Sequence, residues 1–256
     1  MSEQARKVQE QFGAIAAAYV ASAGHAAGDD LAQILAWGRA LAPARVLDLA
    51  TGGGHTALGL TPVARHVTAY DVTEPMLRAA RGFLRERGAA AGFVAGDVHA
   101  LPFRDGAFDV VTCRIAAHHF GDVATAVREV RRVLRAGGSF LLQDILGHDD
   151  AEAAAFVTEV ERRRDPSHVR AYRASEWKAF LRAAGLTTMD STIVTKGRPW
   201  EEWTTRTRMT PEGRRELDAF VRAAPERCRA AFDFRLVDDR IESFTDRMLL
   251  LRADRD

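Results

Sequence analysis

Arg45-Val-Leu-Asp-Leu-Ala-Thr-Gly-Gly-Gly-His-Thr-Ala57 decides the fold. The stretch reads as a short buried strand with an acid inside it, a glycine turn and the start of a helix. Gly52 to Gly54 let the backbone approach a ligand closely, because no Cβ stands in the way. The helix that follows brings unpaired N–H groups and the positive end of its dipole to the same place. Such a turn suits a nucleotide-like ligand, and the acids downstream bear on which one.

Working outward, the chain alternates. Val46–Leu49 reads as a strand, His55–Leu60 as a helix, Val67–Tyr70 as a second strand and Glu74–Arg87 as a helix closed by Gly88. Phe93–Val94 and Phe108–Cys113 are a third and a fourth strand. Ala124, Val127, Val130 and Leu134 recur at helical spacing, with Gly137-Gly138 as the stop, and Ser139–Leu146 is a fifth strand. Further on, Ala151–Arg163 and Ser175–Ala184 read as helices, the second capped by Ser175 and Gly185. Leu186–Val194 and Arg247–Leu251 complete seven strands, with a helical insertion over 199–230 between them.

The pattern predicts an α/β, Rossmann-like fold: a seven-stranded, mostly parallel sheet with helices on both faces. Before it, residues 3–22 and Leu31–Leu41 read as two helices. The expected organisation is one domain over 1–256, with an N-terminal helical lid (1–42), a cofactor-binding core (43–150) and a substrate-side half (151–256) capped by 199–230. Ligands of such sheets lie beyond the carboxyl ends of the strands, where Asp71, Asp97 and His118-His119 fall.

Composition narrows the partners. The chain has 256 residues and a net charge of +1, with 47% hydrophobic and 28% charged residues. Nothing in that balance argues for a nucleic-acid partner. Lysine occurs only at Lys7, Lys178 and Lys196, so the basic residues are nearly all arginine. Cys113 and Cys228 have no zinc spacing and form no disulfide framework; no metal site is expected. The N-terminus lacks a signal-peptide layout and no apolar run is long enough for a bilayer. A cytoplasmic protein without a membrane partner is the default expectation; a monomer and a homodimer both remain open.

Gly52-Gly-Gly-His-Thr-Ala57 also satisfies the dinucleotide pattern G-x-G-x-x-A, with Asp71 about 20 residues on, as in an NAD(P) oxidoreductase. Three features point elsewhere: Asp48 within the first strand, the acid of Gly96-Asp97-Val98 after the third, and Leu101-Pro102-Phe103 before Phe108-Asp-Val-Val111. This ordered series resembles class I S-adenosylmethionine-dependent methyltransferases, the type 11 group related to the ubiquinone/menaquinone (UbiE-like) enzymes. The likeness is strong over roughly 40–150 and weaker through Arg164-Asp-Pro-Ser-His-Val-Arg170 and Glu176-Trp177. One departure is Ala50, where the family usually has glycine; a positive φ there would strain the turn.

The resemblance implies S-adenosylmethionine as cofactor, S-adenosylhomocysteine as product and a small-molecule methyl acceptor. It implies that Asp71 takes the ribose hydroxyls, that Asp97 and the Val98 N–H take the adenine, and that Val72 and Met76 sandwich it. Asp48, with backbone carbonyls near Ala50 and Arg114, would hold the methionine ammonium, within a turn that includes Thr51, Gly52 and Gly54. Tyr19, in a lid-like Phe12…Tyr19…Ser22…His25, would reach the methionine carboxylate. The plainer reading of Asp71 and Asp97 as caps, and of Tyr19 as a half-buried surface residue, stands beside these.

His119, His118 and Asp144 are the candidates for proton transfer or positioning. Phe156, Tyr172, Trp177, Trp200, Trp203, Met209 and Phe232 are candidate walls of an aromatic-accepting pocket or else packing. Arg198, Arg206 and Arg208 read as a solvated face. O- or C-methylation of a small apolar or aromatic metabolite is the leading expectation. A protein of this fold that binds the cofactor without methyl transfer, as a regulator or cyclase, is the alternative.

Overall fold

The computed structural model describes residues 2–16, 20, 28–207 and 209–256. Helices α1 (Glu3–Gly13) and α2 (Asp29–Leu41) precede the alternating region. That region runs β1 (Arg45–Leu49), α3 (His55–Leu60), β2 (His66–Asp71), α4 (Glu74–Glu86), β3 (Gly92–Ala95), β4 (Phe108–Arg114), a 3₁₀ turn at Ala117–His119, α5 (Val123–Val133) and β5 (Leu134–Ile145). The remainder is α6 (Ala151–Arg164), α7 (Ala174–Ala184), β6 (Leu186–Pro199), α8 (Trp200–Thr205), α9 (Pro211–Ala223), α10 (Glu226–Ala230), β7 (Arg235–Val237) and β8 (Arg240–Arg255).

The strands form one sheet in the order β3-β2-β1-β4-β5-β8-β6, with β7 added on β8. Among the described residues it therefore has eight strands, one more than the sequence predicts. β1 to β5 pair in parallel, whereas β8 is antiparallel to β5, β6 and β7. β8 alone runs against the rest. The order reverses between β1 and β4, and the cleft described below opens at the carboxyl ends of those strands.

Both faces are covered. Leu47, Leu49, Val111, Leu142 and Trp177 belong to a core under α5 and α7. Val46, Val110, Leu141, Ile34 and Leu60 form a second under α2 and α3. The split follows the two-residue period of a strand. A third cluster, with Phe156, Trp200, Trp203, Leu217 and Phe232, holds α6 and α8 to α10 together.

Several boundaries differ from the sequence reading. α5 stops at Val133, before the glycines, because Leu134 is already extended and pairs with Phe108. The N-cap of α7 is Arg173, not Ser175; its N–H donates to Glu176 at 2.9 Å. The last strand is far longer than Arg247–Leu251. Its N-terminal half, with the β7 hairpin, passes unnoticed because polar residues interrupt the apolar run. Asp238 and Asp239, at φ 47° and 60°, make the two-residue hairpin turn. The end of the expected 3–22 helix lies partly outside the described residues. Among the described residues, no helix is long and apolar enough to cross a membrane.

Candidate active site

The turn after β1 is built from inside. Asp48 lies opposite Thr112 of β4 in the parallel register. Its carboxylate accepts from the Thr112 and Thr51 hydroxyls, each at 2.6 Å. Burial pushes the Asp48 carboxyl up, against these hydroxyls and the nearby Arg114. Ala50 turns the chain with φ 50°, and Gly52 and Gly54 follow with φ 52° and 84°. The two glycines serve different ends. A Cβ on Gly52 would meet nothing within 4 Å, so that position faces open space. A Cβ on Gly54 would sit 2.9 Å from Leu84 and 3.0 Å from Ala80, so its bareness lets α4 pack close.

A cleft opens there, at the carboxyl ends of the strands where ligands of such sheets lie. Ala50, Gly52, Asp71, Val72, Met76, Asp97 and Val98 border it, as do His118 and His119. Asp71 accepts from Gly52 N–H at 2.9 Å and Thr73 N–H at 2.8 Å, which ties the ends of β1 and β2 together. Each of its oxygens keeps a further lone pair. Asp97 accepts from the His99 N–H at 3.0 Å and touches the His99 ring. The capping role expected of both acids is present, and both border the cleft.

The side chains of three expected cofactor residues, Asp48, Thr51 and Arg114, and the bare Cα of Gly54 do not border the cleft. Asp48 does not border the cleft, because its oxygens are turned to the two threonines under the turn. Thr51 faces Asp48, and Gly54 is a packing glycine. The Arg114 side chain is buried on Asp30 at 3.2 Å and Thr56 at 3.1 Å, which leaves the expectation for the backbone carbonyls near it untouched. Ile115 and Ala116 border the cleft in its place. Ile115 has φ 54°, a strained conformation for a β-branched residue. Tyr19, Ser22, His25 and Arg208 lie outside the described residues.

The 3₁₀ turn after β4 aims two histidines. His118 Nδ1 lies 2.5 Å from Asp144 Oδ1 on β5, which also accepts from the Ile145 N–H. Burial lowers the His118 pKa, but the charge and hydrogen bond of Asp144, with Glu161 and Asp165 behind, raise it above the usual histidine value. Asp144 itself stands behind His118 rather than on the cleft wall. His119 goes the other way: burial, then the charge of His118, pull it down to about 4. Its Nδ1 is 3.2 Å from the Ser167 carbonyl. A carbonyl can only accept, so this contact favours the tautomer with the hydrogen on Nδ1; the Ser167 hydroxyl lies 3.2 Å from the same nitrogen, and Asp165 faces Nε2 at 3.9 Å. His168 is a buried neighbour, 5.1 Å from His118 ring to ring.

Helix α1 closes one side. Gln4 Nε2 donates to the His119 carbonyl at 3.0 Å and the Ser167 carbonyl at 2.6 Å, and Gln9 Nε2 to the Val72 carbonyl at 2.7 Å. Phe12 meets His119 edge-on.

The far end of the cleft departs from expectation. Of the suggested aromatic walls, Trp203 alone borders it; Phe156, Trp200, Phe232 and Met209 pack in the cap cluster, and Tyr172 and Trp177 in the sheet core. Arg198 and Arg206 are not a solvated face: both border the cleft, and Arg198 is buried. With them stand Glu161, Arg164 and Asp246, which sequence reasoning missed. Signals for two of them exist. Glu161 follows Val157 by four residues on a buried helix stripe, and Asp246 alternates with Phe244 and Met248 on the inward face of β8.

Residues 47–142 match the family model for a methyltransferase domain. Over 166 residues the chain is 43% identical to YcgJ of Bacillus subtilis, an uncharacterized methyltransferase, covering 64% of this chain and 66% of YcgJ. It is 31% identical to a ubiquinone biosynthesis O-methyltransferase of Xanthomonas euvesicatoria, over 66% of this chain and 72% of the relative. The crystal structure of BH2331 from Bacillus halodurans superposes with a TM-score of 0.85 at 38% identity, covering 89% of this chain and 99% of that one. The sequence match thus spans just under two thirds of YcgJ.

Proposed function

The chain belongs to the class I S-adenosylmethionine-dependent methyltransferases, and from that premise we propose that it methylates an oxygen or carbon of a small aromatic or enolic metabolite. The observation that carries this reading is one cleft that unites the glycine turn, Asp71 and Asp97 with His118 and His119. The open space before Gly52 fits a ligand pressed on the backbone. Asp71 would accept from the ribose hydroxyls. Asp97 and the Val98 N–H would read the adenine edge, with Val72 and Met76 flanking the ring. The ammonium of the methionine end falls to backbone carbonyls near Ala50 rather than to Asp48.

When bound, the cofactor supplies a methyl carbon made electrophilic by its sulfonium. The chain aligns the acceptor, excludes water and handles one proton. His119, neutral at pH 7, would take the acceptor proton on Nε2. His118, whose protonated form Asp144 favours, would steady the anion so formed. Relatives named for quinone-pathway methylation support a hydroxylated ring as acceptor.

Calorimetric titration with S-adenosylhomocysteine, on the wild type and Asp71→Ala, tests the site. Micromolar binding that Asp71→Ala weakens at least tenfold is expected. Equal binding by the variant would remove Asp71 from the site, and no binding by either protein would defeat the reading.

A further inference from the structure

Beyond the glycine turn and the histidines, charge also walls the cleft. Glu161, Arg164, Asp165, Arg198, Arg206 and Asp246 all border it. The side chains of Arg164 and Arg198 are 10% and 9% exposed. An acceptor that is apolar throughout would seal these ion pairs from water and leave the remaining guanidinium donors unsatisfied, at considerable cost.

The capacity left over is that of donors. Arg164 reaches Glu161 through Nη1 at 2.8 Å and lies 4.1 Å over the Trp203 ring; its Nε is shielded from solvent, and its Nη2 bonds to none of the described residues. Arg198 reaches Asp246 through Nε at 2.5 Å; its two terminal nitrogens bond to none of the described residues. Arg206 pairs with Glu202, whose side chain is 67% exposed, so that counter-charge stands largely in water. The acids are engaged: Asp165 accepts from the Ser167 N–H and hydroxyl, Asp246 from Arg198, and Glu161 from Arg164. Burial raises the Glu161 carboxyl above its usual range despite Arg164 beside it, which weakens the compensation of Arg164.

We propose that Arg164, Arg198 and Arg206 form a carboxylate subsite, so that the methyl acceptor is an acid whose ring or enol lies toward His118 and His119. Guanidinium forks suit a planar carboxylate. The inference rests on the methyltransferase reading and sharpens its substrate class.

The test uses the full chain saturated with S-adenosylhomocysteine. The probes are 4-hydroxybenzoate and 3,4-dihydroxybenzoate, each beside its carboxamide and methyl ester. The acids are expected to bind at least tenfold tighter than their neutral isosteres and to receive more labelled methyl from S-adenosylmethionine. Arg164→Gln and Arg206→Gln should shrink that ratio to about twofold and leave S-adenosylhomocysteine affinity unchanged. Arg206, with a side chain 16% exposed and an exposed partner, is the substitution the fold tolerates best. Equal binding of acid and carboxamide, binding of neither, or a preference that survives both substitutions overturns the subsite. Loss of S-adenosylhomocysteine binding in the wild type would instead overturn the underlying function.

Discussion

Ala50 holds a left-handed conformation with φ 50°, which costs an L-residue about 1–2 kcal/mol. Glycine removes that strain but gives the unfolded chain more freedom, a loss of about 0.4–1 kcal/mol. Ala50→Gly should therefore stabilise the fold by about 0.5 kcal/mol in urea titration and keep S-adenosylhomocysteine binding; a loss of stability would mean the turn is not strained there. The histidines give a sharper prediction. His119 titrates near 4 when folded and near 6.5 when unfolded. Between those values the unfolded state binds more protons, so stability falls as pH drops from 6.5 toward 4. His168, also lowered by burial, acts in the same direction. His118 is raised, so its contribution is complete below 6.5 and disappears as pH climbs through its folded value. Urea midpoints between pH 4.5 and 8 should show a shallower acid limb in His119→Gln and a shallower alkaline limb in His118→Gln. In catalysis the same pair predicts a bell. Rate falls on the acid side as His119 protonates and on the alkaline side as His118 loses its proton. Asp144→Asn should lower kcat about 10²-fold and move the alkaline limb down, since the charge that raises His118 is gone.

At the scale of elements, the β1 turn is held by two different kinds of bareness, and the sequence shows three glycines without distinguishing them. Gly54 combines φ 84° with α4 side chains about 3 Å from any added Cβ. Gly54→Ala should destabilise by about 2–3 kcal/mol, backbone strain and overpacking together. Gly52→Ala should be milder on stability and harsher on cofactor affinity, because its Cβ would enter the cleft. Comparing urea midpoints with calorimetric Kd for the two variants separates the roles; the same profile for both would refute it. Strand and helix positions were legible because each carries its own period: Val46 and Leu47 turn to opposite cores as alternation requires. The β7–β8 hairpin was not, because Asp-Asp at 238–239 is a weaker turn signal than Asn-Gly. The place of Asp48 was not legible either: an acid on a strand next to a glycine turn looks like a ligand, and only the neighbouring Thr112 shows that its oxygens are occupied.

Across the whole molecule, the two ends of the cleft belong to separately packed units. The cofactor end is made by the strand ends of the sheet. The acceptor end is roofed by Trp203 and Arg206 of the α8 region and by Arg164 of α6, whose support is the cap cluster. That division was hidden in the sequence at Arg164, which sits in the run Glu159-Val-Glu-Arg-Arg-Arg164 and reads as part of a solvated helix face until α8 folds over it, whereas Glu161 shares the buried stripe of Val157. Trp200 is the keystone of the cap. It is 2% exposed, stacks on Trp203 and donates to Asp218 at 2.6 Å. Trp200→Ala should cost the cap about 3–5 kcal/mol, loosening the acceptor end while the sheet keeps its own cores. Hydrogen exchange should then quicken in α8 to α10 with little change in β1, β4 and β5. S-adenosylhomocysteine Kd should stay within about twofold, and methyl transfer should fall steeply. Uniform acceleration across sheet and cap would show that one cooperative unit carries both ends, and that the acceptor site cannot be opened without loosening the cofactor site.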